Sequence, residues 1–119
     1  KILKNEPIEV FNYGKMKRDF TFIDDIVDGI VSSIKKNYNK EVFNLGNNKS
    51  EDLMDVISII EQKIGKKAKV LFKSMQLGDV EKTYADIRSA KEKLGYSPKT
   101  DVQEGIEKFI DWFLKLYNK

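Results

Sequence analysis

The sequence contains no cysteine and no histidine. The first absence excludes a disulfide framework and thiol chemistry. The second removes the commonest general base and metal ligand. Together they exclude Ser/His and Cys/His nucleophile systems. Proline occurs only at Pro7 and Pro98, and arginine only at Arg18 and Arg88. None of the seven glycines belongs to a G-x-G-x-x-G loop or a P-loop. No apolar run approaches the roughly 18–20 residues of a membrane span, and no signal-peptide pattern opens the chain. A strong charge of either sign is also missing: 22 basic against 19 acidic residues give +3. That balance excludes a disordered polyelectrolyte. It also argues against a dedicated nucleic-acid binder, which gathers a larger basic excess on one face.

What is present suffices for one core. The 119 residues are 40% apolar, the size and composition of a single domain. The lack of cysteine suits a reducing, cytosolic setting. Lysine is the default cation, so each arginine points to a place where a planar, bidentate donor was wanted. Lys1–Asn5 reads as the last turn of a helix, with Asn5 as a left-handed end. Two apolar residues cannot hold an isolated helix, so upstream sequence is expected to be missing.

Along the chain, Ile8–Phe11 and Phe20–Ile23 read as strands, making residues 8–23 a hairpin with a basic loop, Lys15–Arg18. Ile26, Val27, Ile30, Val31 and Ile34 recur at helical spacing after Asp24. Glu41–Leu45 reads as a short strand. Ser50 is the expected cap of a helix with the stripe Leu53, Val56, Ile57, Ile60 and Ile64, ending at Gly65. Ala68–Phe72 reads as a strand and Ser74–Glu81 as a loop. Asp86 is the expected cap of a short helix running to Leu94. Thr100 with Gln103 fits a capping box for a last helix bearing Val102, Ile106, Phe109, Ile110, Phe113 and Tyr117. Trp112, Phe109 and Phe113 read as core. The order is α/β or α+β.

Two loops carry polar groups that folding does not require. In Lys15-Met16-Lys17-Arg18-Asp19, an arginine beside two lysines suits a phosphate, because its fork makes two parallel charge-assisted hydrogen bonds. The plain alternative is a solvated turn with Arg18 paired to Asp24 or Asp25. In Met75-Gln76-Leu77-Gly78-Asp79, glycine permits close backbone approach and Asp79 suits a sugar diol. The plain alternative there is an ordinary Gly-Asp turn. Asp24, Asp25 and Asp28 read as helix-start charge rather than a metal site.

These residues, in order, resemble a known family. Pro7–Ile26, read P-I-E-V-F-N-Y-G-K-M-K-R-D-F-T-F-I-D-D-I, is similar to a segment of NAD-dependent sugar-nucleotide epimerases, and more narrowly of the UDP-glucuronate 4-epimerases of bacterial capsule biosynthesis. Phe43-Asn44-Leu45-Gly46-Asn47, Met75-Gln76-Leu77-Gly78-Asp79-Val80, Thr83-Tyr84-Ala85-Asp86 and Leu94-Gly95-Tyr96-Ser97-Pro98 continue the resemblance along essentially the whole chain. It implies an extended short-chain dehydrogenase/reductase of Rossmann-type α/β fold. Residues 1–119 would be the C-terminal, substrate-binding portion: a small lobe with a hairpin, short strands and about four helices, in which Glu41–Leu45 is a late strand of the larger sheet. The NAD-binding Rossmann domain, with its catalytic Ser/Thr and Tyr-x-x-x-Lys groups, would lie upstream, so no catalytic, cofactor or metal role is assigned here.

The resemblance implies that Arg18 pairs with the nucleotide diphosphate and that Asp79 binds the ribose hydroxyls. The backbone of Glu9–Phe11 matches the strand under the uracil edge. Gln76 stands where many related epimerases carry a second phosphate-binding arginine, and Leu77 stands where the subfamily has proline. The implied reaction oxidises C4 with NAD, turns the 4-keto sugar and reduces its other face. The implied partner is a UDP-sugar, with neither nucleic acid nor membrane, in a cytoplasmic homodimer formed through the upstream domain. A sibling UDP- or dTDP-sugar dehydratase or decarboxylase is the alternative, and a stand-alone basic binding module the remote one.

Overall fold

The computed structural model describes residues 1–117. Lys1–Asn5 forms a turn that ends at Asn5 in the left-handed conformation (φ 56°). Strand β1 (Pro7–Val10) begins at Pro7, which has no N–H to give. Residues Phe11–Gly14 then form a tight 3-10 turn. Strand β2 (Lys17–Arg18), helix α1 (Ile23–Lys36), strand β3 (Glu51–Asp52), helix α2 (Leu53–Ile64), strand β4 (Lys69–Phe72), helix α3 (Arg88–Leu94) and helix α4 (Val102–Tyr117) follow.

The hairpin over residues 8–23 does not form. Strand β1 instead pairs parallel with β4, Pro7 opposite Lys69 and Val10 opposite Phe72, while β2 pairs antiparallel with β3. The cause lies in three successive left-handed residues, Asn12, Tyr13 and Gly14 (φ 49°, 52° and 81°). They turn the chain away from a β-ribbon path. Tyr13 N–H donates to Lys73 O and Lys73 N–H to Val10 O, so the turn is tied to the end of β4. Phe20–Ile23 is not a strand either. The Phe22 ring lies over Gly105 of α4, where an added Cβ would come within 3.3 Å.

Three capping expectations also change. Ser50 caps nothing: α2 starts at Leu53, and the Ser50 hydroxyl is buried without a partner. Thr100 does not cap α4; Asp101 does, accepting the Glu104 N–H at 2.8 Å. Asp86 sits one residue before the N-cap of α3 and accepts the Arg88 N–H at 3.1 Å. The left-handed ends at Gly65 and Gly95 are as expected.

The core lies around α3, where Ile87, Ala90, Leu94 and Tyr96 are buried, flanked by Phe43, Leu45 and Ala85. Glu41–Leu45 has no strand partner and packs by side chains alone: Leu45 faces Gly29 of α1. Buried Asp25 accepts the N–H groups of Lys99 and Thr100, both at 3.0 Å, and so ties α1 to the start of α4. Helix α2 also packs on α4, where Ile57 and Ile110 are buried. Trp112 is not core: it is 57% exposed, and Phe109 beside it is 51% exposed.

Helix α1 turns its small and polar face inward, with Asp25 and Gly29 buried. Its apolar stripe, Ile23, Val27, Ile30, Val31 and Ile34, is 40–71% exposed. The molecule is accordingly a slab, 48 × 38 × 18 Å. Its accessible surface is 8495 Å², where a compact chain of this mass exposes roughly 6,600 Å².

Two results should follow from the core. A Cβ on Gly46 would collide with that of Ala85, and neither can rotate away. Gly46→Ala should therefore lower stability by about 1–3 kcal/mol in denaturant titration. The Tyr96 hydroxyl donates to Gly46 O at 2.9 Å. Burial, and behind it the charges of Asp25 and Asp19, pushes that hydroxyl above its ordinary value. The folded state thus keeps this proton after an unfolded tyrosine has lost it. This contribution to stability is whole below about pH 10 and is lost as pH rises further. Tyr96→Phe should flatten that alkaline fall, measured by thermal melting across pH.

Candidate functional site

Arg18 lies on β2 and Asp79 in the loop between β4 and α3. Backbone bonds bring them together. Lys17 N–H donates to Glu81 O at 2.8 Å, and Thr83 N–H donates to Lys17 O at 3.1 Å. The loop therefore runs strapped along β2. Asp19 fixes the strap from behind: its carboxylate accepts the N–H groups of Asn47 (2.8 Å), Asn48 (3.1 Å) and Ala85 (3.0 Å), and its own N–H donates to the Thr83 hydroxyl.

The Arg18 guanidinium donates from Nη1 to Lys17 O (2.8 Å) and Glu81 O (3.2 Å), and from Nη2 to Asp79 Oδ1 (2.8 Å). The two side chains are 25% and 33% exposed. Arginine has five N–H donors, so two remain unused among the described residues. Asp79 Oδ1 also accepts the Val80 N–H, while Oδ2 accepts no hydrogen bond from the described residues. The partner of Arg18 is thus Asp79, and not Asp24 or Asp25.

Gln76 is exposed in the same loop, and its carbonyl accepts the Asp79 N–H at 3.2 Å, closing a turn with Gly78 at φ 82°. Glu9 lies on β1 with its carboxylate 3.6 Å from the Lys73 ammonium. Phe11 follows that strand, half-buried. The structure therefore brings Arg18 and Asp79 into contact, and Gln76 is tied to Asp79 only through its backbone carbonyl. It joins Glu9–Phe11 to them through β4, which runs directly into the loop.

Sequence reasoning missed the supports. Asn12 Nδ2 donates to Lys15 O (3.1 Å) and reaches Glu81 Oε1 at 3.4 Å, bracing the left-handed turn against the loop. Left-handed backbone costs about 1–2 kcal/mol per non-glycine residue, and such strain gathers at functional sites. Asn-Tyr-Gly held the signal, because asparagine and glycine both visit this region. Asp19, an acid inside a basic loop, was visible but assigned no role.

Tyr13 and Lys17 are spaced as a Tyr-x-x-x-Lys pair. They are not on a helix: Tyr13 sits in the left-handed turn, and the Lys17 ammonium pairs with Asp52 at 2.9 Å. The second arginine is engaged locally. Arg88 grips Asp86 at 2.6 Å and holds its carboxyl at about 2. Among the described residues, no cluster of acidic side chains could hold a metal ion.

The family model for GDP-mannose 4,6 dehydratase matches residues 1–109. An uncharacterized protein of Methanocaldococcus jannaschii is 52% identical over 96% of this chain and 35% of its own length. UDP-glucuronate 4-epimerase 3 of Arabidopsis thaliana is 40% identical over 98% of this chain and 31% of its own. Among solved structures, a UDP-glucuronic acid 4-epimerase from Bacillus cereus, in complex with UDP-glucuronic acid and NAD, is 35% identical with a TM-score of 0.88, covering 97% of this chain and 37% of that one. The chain thus spans about a third of the length of the relatives it matches.

The Asp19 clamp has a measurable consequence. Asp19→Asn replaces an acceptor-only carboxylate with an amide that also presents donors to three N–H groups. Stability should fall by about 2–3 kcal/mol, and amide exchange should quicken at Ala85, Asn47 and Asn48. An unchanged denaturation midpoint would remove Asp19 from this role.

Proposed function

Because the chain belongs to the GDP-mannose 4,6-dehydratase family, we propose that its residues form the UDP-sugar-holding portion of an NAD-dependent nucleotide-sugar epimerase, a UDP-glucuronate 4-epimerase. The observation that carries this reading is the convergence of Arg18 and Asp79, 61 residues apart in sequence, at 2.8 Å. One offers unused phosphate donors and the other an unused carboxylate oxygen. The likeness to the Bacillus cereus enzyme in complex with UDP-glucuronic acid supports it.

In this reading Arg18 holds the diphosphate and Asp79 the ribose hydroxyls. The β1 edge at Glu9–Phe11 supports the base, and Gln76 adds a neutral donor beside the phosphates. The nucleotide is fixed at a distance from the reacting carbon, so binding energy from a non-reacting part orients the sugar. The described residues do not fit NAD. Gly14, the last residue of the turn after β1, is backed by Met54 and Phe72 rather than by an open phosphate cradle. No step through the cofactor is therefore assigned to these residues; NAD belongs to an upstream Rossmann domain, and the catalytic groups with it. The outward apolar stripe of α1 is where that domain docks, and the homodimer forms through the domain's own helices.

A dehydratase or decarboxylase reading keeps the same nucleotide site, and the family's own description favours keeping it as the alternative. A polyanion-binding module is disfavoured. Seven lysines on scattered faces are each paired with an acid, including Lys17–Asp52, Lys63–Asp111 and Lys93–Glu41. No helix among the described residues is long and apolar enough to cross a membrane; a cytoplasmic enzyme acting on a soluble nucleotide sugar fits that.

The test is incubation of the longest natural chain carrying these residues with UDP-glucuronate, followed by chromatography. UDP-galacturonate should appear, and Arg18→Lys should raise KM by about 10–100-fold through loss of charge-assisted hydrogen bonds. Residues 1–119 alone should convert nothing. Loss of water or carbon dioxide in place of epimerisation would move the reaction to the alternative, and no turnover of any sugar nucleotide would overturn the reading.

A further inference from the structure

We infer that the Arg18–Asp79 ion pair is a selectivity gate, in which a diphosphate gains full access to Arg18 only when the same ligand offers a vicinal diol to Asp79. The inference rests on the nucleotide-binding reading above and goes beyond it to a relation between the two residues.

The geometry carries it. A carboxylate that chelates a vicinal diol uses both oxygens. Asp79 Oδ2 is open, but Oδ1 is held by Arg18 Nη2 at 2.8 Å and by the Val80 N–H at 2.8 Å. Binding the second hydroxyl therefore draws Oδ1 from Arg18. The guanidinium does not leave with it, because Nη1 is fixed by the carbonyls of Lys17 and Glu81. Releasing Asp79 leaves Arg18 in place with its positive charge uncovered and a third donor free. Phosphate then replaces the carboxylate.

A ligand with phosphates but no diol has to compete with Asp79 for Arg18 and gives the displaced carboxylate nothing in return. Inorganic pyrophosphate is such a ligand, and a 2′-deoxynucleotide offers Asp79 one hydroxyl where a ribonucleotide offers two. The loop can move to make the exchange. Gly78 adopts φ 82° with nothing within 4 Å of an added Cβ, and Leu77 and Val80 flank it exposed. Three neighbouring charged groups have partners of their own. Lys17 is paired with Asp52, Lys73 with Glu9, and Glu81 accepts from Asn12.

The experiment compares wild type and Asp79→Asn in the longest natural chain, saturated with NAD so that the cofactor site cannot report. Binding of UDP, 2′-deoxy-UDP and inorganic pyrophosphate is measured by calorimetry. The gate requires opposite changes. Asp79→Asn should tighten pyrophosphate about fivefold, which corresponds to about 1 kcal/mol, the scale of a partly exposed ion pair. It should weaken UDP and shrink the preference for UDP over its 2′-deoxy form. Asp79→Ala should act in the same direction, and Arg18→Ala placed on either background should abolish the gain for pyrophosphate. Pyrophosphate binding left unchanged or weakened by Asp79→Asn would overturn the gate while leaving the nucleotide site standing, with Asp79 then serving to orient Arg18. Failure of wild type to bind UDP would overturn both readings.

Discussion

Asp19 follows Arg18 in the chain and gives its carboxylate to three backbone N–H groups from two distant segments, Asn47–Asn48 and Ala85. Ionised carboxylates make such bonds shorter and stronger than neutral acceptors do. The clamp fixes where the loop after β4 lies, and the Lys17 backbone bonds then place Glu81 and Asp79 beside Arg18. It also brings Gly46 against Ala85, and from Gly46 the Tyr96 hydroxyl reaches into the α3 cluster. The candidate site and the core are thus two sides of one hydrogen-bonded seam.

The elements with long periodic patterns were legible in the sequence. The stripes of α1, α2 and α4, the glycine ends and the β4 strand follow from spacing and turn chemistry. Pairing was not legible. Residues 8–23 look like a hairpin because two apolar stretches flank a glycine, and local pattern does not reveal that Tyr13, between Asn12 and Gly14, turns left-handed as well. The Thr100 cap failed for a related reason: the residue has the right chemistry, but Asp25 takes the Thr100 N–H from 75 residues away. At the site, Arg18 and Asp79 were legible as separate polar groups in loops. Their contact was not, because it depends on Asp19, whose role is defined only by segments far along the chain.

The apolar stripe of α1 shows where residue pattern and packing part. Periodicity correctly marks the helix as amphipathic, yet its apolar side faces outward over Ile23, Val27, Ile30, Val31 and Ile34. Gly29 explains the inward side: Leu45 and Tyr96 come so close that any larger residue would force them to shift. The helix is therefore apolar on a face that stands open, while α3 and the Phe43–Leu45 segment cover the other. Its burial needs resemble those of a helix within a layered α/β protein more than those of a surface helix.

The parallel alignment of β1 with β4 carries a kinetic consequence. Pro7 meets Lys69, and Arg18 meets Asp79 across 61 positions. Both α1 and α2 lie inside that span, so the helices can gain order from neighbours close in sequence while the strands wait on a large loop closure. Chains dominated by such distant pairings reach their native form slowly. The edge that carries Arg18 and Asp79 is thus expected to assemble late on the folding route, after the helices that support it.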